Sequence, residues 1–175
     1  MQVIELPVTV EWTPEMLERL PRDYRYQVSE GNLIVSAAAM RPWHGDAQFR
    51  ITHLLRSTGL EAYPECGVVI GRGEIYDCDV GVFRDRPAGN VAYHPAREFE
   101  LVIEVVSPDS RRADRVVKPQ QYAAGGIPEF WRVEETDDGE AIVHQHRLVR
   151  ESGAGRYVET RVVMLSTLEK EAGAS

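Results

Sequence analysis

Two carboxylates stand where carboxylates are rare. Leu101-Val102-Ile103-Glu104-Val105-Val106-Ser107 is a near-continuous apolar run with Glu104 in its middle. Such a run marks a strand covered on both faces. An ionised carboxylate there is costly unless it is paired or bound to a metal. Tyr76-Asp77-Cys78-Asp79-Val80-Gly81-Val82-Phe83 places two aspartates in a second strand-like run, although Asp is disfavoured in strands. The period of two puts Asp77 and Asp79 on one face, with Asp79 deeper in the apolar stretch. If the two strands are neighbours, Asp79 and Glu104 converge on one point. Paired carboxylates with several retained waters are what a hard divalent cation such as magnesium takes. The plain alternative is a Glu at a strand end, hydrogen-bonded to backbone or to an arginine.

A third group lies on the segment after Glu104. Ser110–Ala124 has helical composition, and Asp114, Lys118 and Tyr122 are spaced i, i+4, i+8, which lines them along one helical face. Read blandly, this is a solvated face with an Asp–Lys pair. Composition sharpens it: the chain has 18 arginines and two lysines, and the other lysine, Lys170, lies in the last few residues. An ammonium is a compact charge that can orient a water or stabilise a developing anion, and a guanidinium does not substitute for it. Around this core stand weaker candidates. His44 opens a helix and can touch a phosphate or a water, although a lone His at a helix start is more often structural. Arg111, Arg112 and Arg115 form either a phosphate-binding patch or a solvated helix face. His144 and His146 alternate on a strand, more often a surface pair than a metal site. Trp131 reads as core or interface.

The elements that must position these groups follow from the patterning. Thr13-Pro14-Glu15 opens a short helix that Pro21 stops. Tyr24–Val28 and Leu33–Val35 flank a Gly-Asn turn and read as a β-hairpin. Pro42–Ser57 is a helix ended by Gly59. Strands are predicted at Glu61–Ile70, Glu74–Phe83 and Phe99–Ser107, with a loop at Asp85–Pro95. After the Ser110–Ala124 helix come strands at Glu129–Glu134, Ala141–Arg150 and Tyr157–Leu165. This is a mixed α/β sheet with too few βαβ crossovers for a doubly wound fold. The length of 175 residues fits one domain, read as residues 1–169, with 170–175 as a frayed tail. The net charge of −8 argues against a nucleic-acid coat or a polybasic membrane binder. Two cysteines, Cys66 and Cys78, are too few for a disulfide framework or a four-cysteine zinc site. The N-terminus lacks the basic and apolar regions of a secretory signal, and no apolar run approaches the ~18 residues needed to span a bilayer. The expected location is cytoplasmic, with no membrane partner.

Taken together, Cys78-Asp79-Val80, Leu101–Pro108, Asp114, Lys118, Tyr122 and Gly126-Ile127-Pro128-Glu129-Phe130-Trp131-Arg132-Val133 resemble the Uma-two family of the PD-(D/E)xK nuclease superfamily. The resemblance runs from about Thr13 to Val149 and is most specific between Glu104 and Trp131. It implies a restriction-endonuclease-like mixed sheet flanked by helices, with an N-terminal helix and β-hairpin. It implies a metal-dependent endonuclease acting on DNA as a homodimer with Mg2+ or Mn2+. Asp79 and Glu104 become the metal-binding acids, the backbone carbonyl of Val105 completes the site, and Lys118 is the catalytic lysine. His44, Asp114 and Tyr122 are accessory, and Arg111, Arg112 and Arg115 are phosphate-binding. Rival readings are a catalytically inactive binding or interaction module on the same fold, and a hydrolase of a smaller phosphodiester. The chain departs from the pattern in three places. Cys78 replaces the proline before the aspartate, Pro119 directly follows Lys118, and Glu134-Glu135 follows the next strand in place of an Asp-Pro; the superfamily's lysine normally sits two residues after the glutamate, where this chain has Val106, and the resemblance implies that it has moved onto the next helix, as Lys118. Pro119, directly after Lys118, predicts a kink or restart of the helix at that point.

Overall fold

A computed structural model describes residues 11–37, 41–108, 110–151 and 153–173. The order is α1 (Pro14–Leu17), β1 (Tyr24–Ser29), β2 (Asn32–Ala37), α2 (Pro42–Ser57), β3 (Glu61–Gly71), β4 (Glu74–Phe83) and β5 (Tyr93–Pro95). There follow a 3-10 turn (Ala96–Glu98), β6 (Phe99–Val105), a π-helical turn (Ala113–Val117) and α3 (Lys118–Ala124). The chain ends with β7 (Glu129–Glu135), β8 (Ala141–Glu151), β9 (Ala154–Met164) and α4 (Leu165–Gly173). The class is mixed α/β. Among the described residues nine strands form one sheet in the order β2-β1-β4-β6-β7-β8-β9, with β3 on β4 and β5 on β3. Pairing is antiparallel except for β6–β7 and the short β3–β5 contact. The β6–β7 crossover carries the π-turn and α3, as a parallel pair requires.

Helices cover both faces. Ile51, Leu54 and Leu55 of α2 pack with Leu165 and Leu168 of α4 over Val80, Val82, Leu101 and Ile103. Tyr122 of α3 packs with Cys78, Phe99, Val102 and Phe130 on another cluster. A third cluster joins Leu17 and Leu20 to Tyr26, Val28 and Ile75.

Strand β4 is central, and its pairing is uneven. Along one edge it follows β3. Along the other it meets β1 at Val28↔Ile75 and then β6 from Val80↔Ile103 to Phe83↔Phe99. Between those contacts Tyr76–Asp79 have no ladder partner on that edge among the described residues. The last pair, Val80↔Ile103, leaves Asp79 opposite Glu104 one step beyond the ladder.

Three expectations change. The loop expected at Asp85–Pro95 ends in strand β5, which pairs with β3. The final strand stops at Met164, and Leu165 begins α4. Helix α4 continues through Lys170 to Gly173, so these residues are not a frayed tail. Leu165 and Leu168 supply its buried side, and Arg50 and Arg161 pair with its Glu169 and Glu171. Residues 174 and 175 lie outside the described residues. Pro119 does cause an irregularity, but not a break. The Lys118 N–H bonds to the Ala113 carbonyl in a π-helical turn, and Pro119 falls in the first positions of α3, where a helix leaves its N–H groups unpaired in any case.

Candidate active site

The gap in the β4 ladder is filled by side chains. Buried backbone carbonyls need donors. Lys118 Nζ donates to the carbonyl of Asp77 at 2.9 Å, and Gln48 Nε2 of α2 donates to that of Asp79 at 2.7 Å. The Val105 N–H donates to Asp79 Oδ2 at 2.7 Å, so a carboxylate takes the place of a ladder acceptor just where β4 and β6 part. His44 Nε2, at the start of α2, lies 3.3 Å from the same Oδ2, and Arg25 of β1 lies 3.6 Å from Oδ1.

Glu104 is only 1% exposed. Lys118 Nζ donates to its Oε2 at 2.8 Å and the Tyr122 hydroxyl to its Oε1 at 2.6 Å. Asp114 Oδ1 is 3.3 Å from Lys118 Nζ, yet it is buried and accepts no hydrogen bond. The π-turn therefore leaves Lys118 and Tyr122 on Glu104 and Asp114 on Lys118, along the shared face expected from their spacing.

The electrostatics are lopsided: Asp79, Glu104 and Asp114 surround one buried ammonium, Asp77 lies close by, and Arg25 stands on the outer side of Asp79. Burial raises the Glu104 carboxyl well above its ordinary range, and Lys118 offsets this only in part, against Asp114 and Asp79. Burial also raises Asp114, and it pushes Asp77 up to about 6. Asp79 is the exception. Burial works against its charge, but His44, Lys118 and the Val105 N–H overcome that and hold its pKa low. Burial alone would also lower the Lys118 pKa; Glu104, Asp114 and Asp79 reverse this and keep the ammonium protonated. Burial raises the Tyr122 phenol well above normal, so it stays a donor. The cluster is short of positive charge, and two of its acids have the donor chemistry a hard cation takes with water completing its shell. Among the described residues no group of three or more His, Cys, Asp or Glu is placed to hold a metal ion.

Asp79, Glu104, Lys118, Asp114, Tyr122 and His44 thus come together, and Val105 joins them through its N–H. Arg111 and Arg112 are exposed on the segment after β6. Arg115 bonds Glu134 through Nε at 3.0 Å and lines a separate cavity of about 350 Å³ with Pro119, Phe130, His146 and Tyr157. His144 bonds Glu159 at 2.8 Å on the β8–β9 surface. Trp131 packs against the α2–α4 core. Sequence reasoning missed Gln48, Arg25 and Glu65. Gln48 stands four residues after His44 and was findable from that spacing. Arg25 and Glu65 carry no such signal, because hairpin and strand placement alone bring them to Asp79.

The fold is one shared with proteins described as nucleases. The Uma2 family model, described as "Putative restriction endonuclease", matches residues 14–173, and the chain belongs to that family. A crystal structure described as a "putative nuclease belonging to DUF820", from Anabaena variabilis ATCC 29413, is similar with a TM-score of 0.64 at 16% identity. It covers 92% of this chain and 99% of its own. No curated protein matches. Among the described residues no helix is long and apolar enough to cross a membrane.

Proposed function

We propose that the protein is a divalent-metal-dependent endonuclease that hydrolyses phosphodiester bonds in DNA. The observation that carries this reading is the convergence of Asp79, Glu104 and Lys118 where β4, among the described residues, has no ladder partner on the edge it shares with β1 and β6. Asp79 and Glu104, with the Val105 carbonyl, would hold Mg2+ or Mn2+. When bound, such an ion supplies an activated water and stabilises charge on phosphate oxygens.

The chain's own groups do the rest. His44 and the Val105 N–H hold the Asp79 carboxylate in its charged form, and Gln48 holds its backbone carbonyl. Tyr122 fixes the Glu104 carboxylate. Lys118, set between Glu104, Asp114 and the Asp77 carbonyl, provides a fixed positive charge that orients water and stabilises charge developing on the phosphorane. Arg111 and Arg112 supply phosphate contacts at the exposed segment beside Glu104. Cutting both strands calls for two such sites, so a homodimer belongs to this reading, as does a cytoplasmic location.

The test is incubation with plasmid DNA and magnesium or manganese, against Asp79→Ala and Glu104→Ala. Loss of cleavage in both is expected; cleavage surviving both rejects the site. The net charge of −8 favours a second reading, hydrolysis of a smaller phosphodiester. Activity on a dinucleotide but not on plasmid selects it.

A further inference from the structure

The nuclease reading leaves a question of access. Lys118 is enclosed by Glu104, Asp114 and the Asp77 carbonyl and is 7% exposed, so it acts at the buried end of the site and is not the cation that first meets a strand arriving from solvent. On the open side stands a different cation, Arg25. From β1 its guanidinium extends past Asp79 to form an ion pair with Glu65 of β3.

Glu65 is unusual in its backbone. Its φ is 54°, in the left-handed region that a residue with a side chain seldom adopts, although it lies inside β3. The β3–β4 ladder runs Pro64↔Val80 and then Cys66↔Cys78, skipping the Glu65/Asp79 position. Local strain of this kind gathers at working sites. Here it delivers a carboxylate to Arg25 directly beside Asp79. The two side chains border an open cavity of about 150 Å³ that also touches Asp77, Tyr24 and Tyr93. The Glu65 side chain is 52% exposed, so its ion pair is a weak one that a competing anion can displace. Carboxylate and phosphate present the same paired oxygens to a guanidinium.

We propose that Arg25 binds a phosphodiester oxyanion of the substrate strand, and that Glu65 is the placeholder carboxylate that holds the guanidinium beside Asp79 until the strand displaces it. This rests on the nuclease reading and adds to it the group that receives the substrate.

The experiment is fluorescence anisotropy of a labelled short DNA duplex in EDTA at low salt, followed by cleavage kinetics with magnesium. Arg25→Gln should weaken binding about tenfold and lower the salt slope by about one phosphate contact. Arg25→Lys should fall between it and wild type. Glu65→Gln should tighten binding about two- to fivefold, the range of an exposed ion pair, and lower KM with kcat little changed. The Arg25→Gln/Glu65→Gln pair should match Arg25→Gln alone. Glu65→Gly removes both the strain and the carboxylate, so it should tighten binding while raising thermal stability, which keeps the test open if another variant folds poorly. Unchanged or weaker binding by Glu65→Gln and Glu65→Gly overturns the placeholder. If wild type meanwhile binds and cleaves, the nuclease reading survives. A wild type that neither binds nor cleaves overturns both.

Discussion

Strand β4 has two halves that solve opposite problems. From Val80 to Phe83 it is zipped to β6 and buried under α2 and α4, and its neighbours Leu101, Ile103, Leu54 and Leu55 are apolar. From Tyr76 to Asp79 the same edge is unzipped: Lys118 and Gln48 donate to its backbone carbonyls, and the Val105 N–H donates to the Asp79 carboxylate. The first half stabilises the fold through burial. The second costs stability, because four carboxylates gather where water is scarce. The contrast explains why the acids sit at the end of the ladder. A carboxylate can approach a backbone N–H and another acid only where the neighbouring strand no longer occupies that space.

This contrast can be broken from the polar side first. Lys118→Ala leaves Glu104 and Asp114 buried without their cation, and should destabilise the protein by about 3–5 kcal/mol, read from urea unfolding. A cost under about 1 kcal/mol would mean that water already neutralises the cluster. The zipped half comes next. Ile103→Ala removes a fully buried side chain and should cost about 2–5 kcal/mol, while magnesium affinity by calorimetry stays near wild type. A parallel loss of magnesium affinity would show that the two halves are not separable. Gln48→Ala orphans the Asp79 carbonyl and should cost about 1–3 kcal/mol. Through Asp79 it should also weaken magnesium about tenfold or more; a stability loss with unchanged metal affinity would make Gln48 purely structural.

The smallest effect belongs to the surface pair that ties α2 to α4. Arg50 donates to both oxygens of Glu169 at 2.9 and 2.8 Å, and this hydrogen-bonded pairing lowers the Glu169 pKa. A carboxylate whose pKa is depressed by folding stabilises above its unfolded value of 4.5, and the contribution disappears as pH falls through the lower folded value. Glu169→Gln should therefore cost under about 1 kcal/mol at pH 7 and nothing near pH 2. Equal costs at both pH values would show that the pair contributes by packing and not by charge.

The sequence by itself determined most strands and helices to within a few residues, β5 and α4 excepted, and it singled out the acids Asp79 and Glu104 and the shared face of Asp114, Lys118 and Tyr122. The physical reason is local: a charge inside an apolar run and an i, i+4, i+8 spacing are both written in consecutive residues. It marked Pro119 as an irregularity. Only the folded backbone resolved that into a π-turn that keeps Lys118 on Glu104, since the choice between a break and a bulge depends on what the side chain gains by staying. The helix after Met164 was legible only once α2 and the sheet offered a surface for Leu165 and Leu168. The gap in β4, the left-handed Glu65 and the reach of Arg25 were settled by tertiary structure alone. They depend on which strands lie side by side and where their ladders stop, and those are distances between residues far apart in the chain.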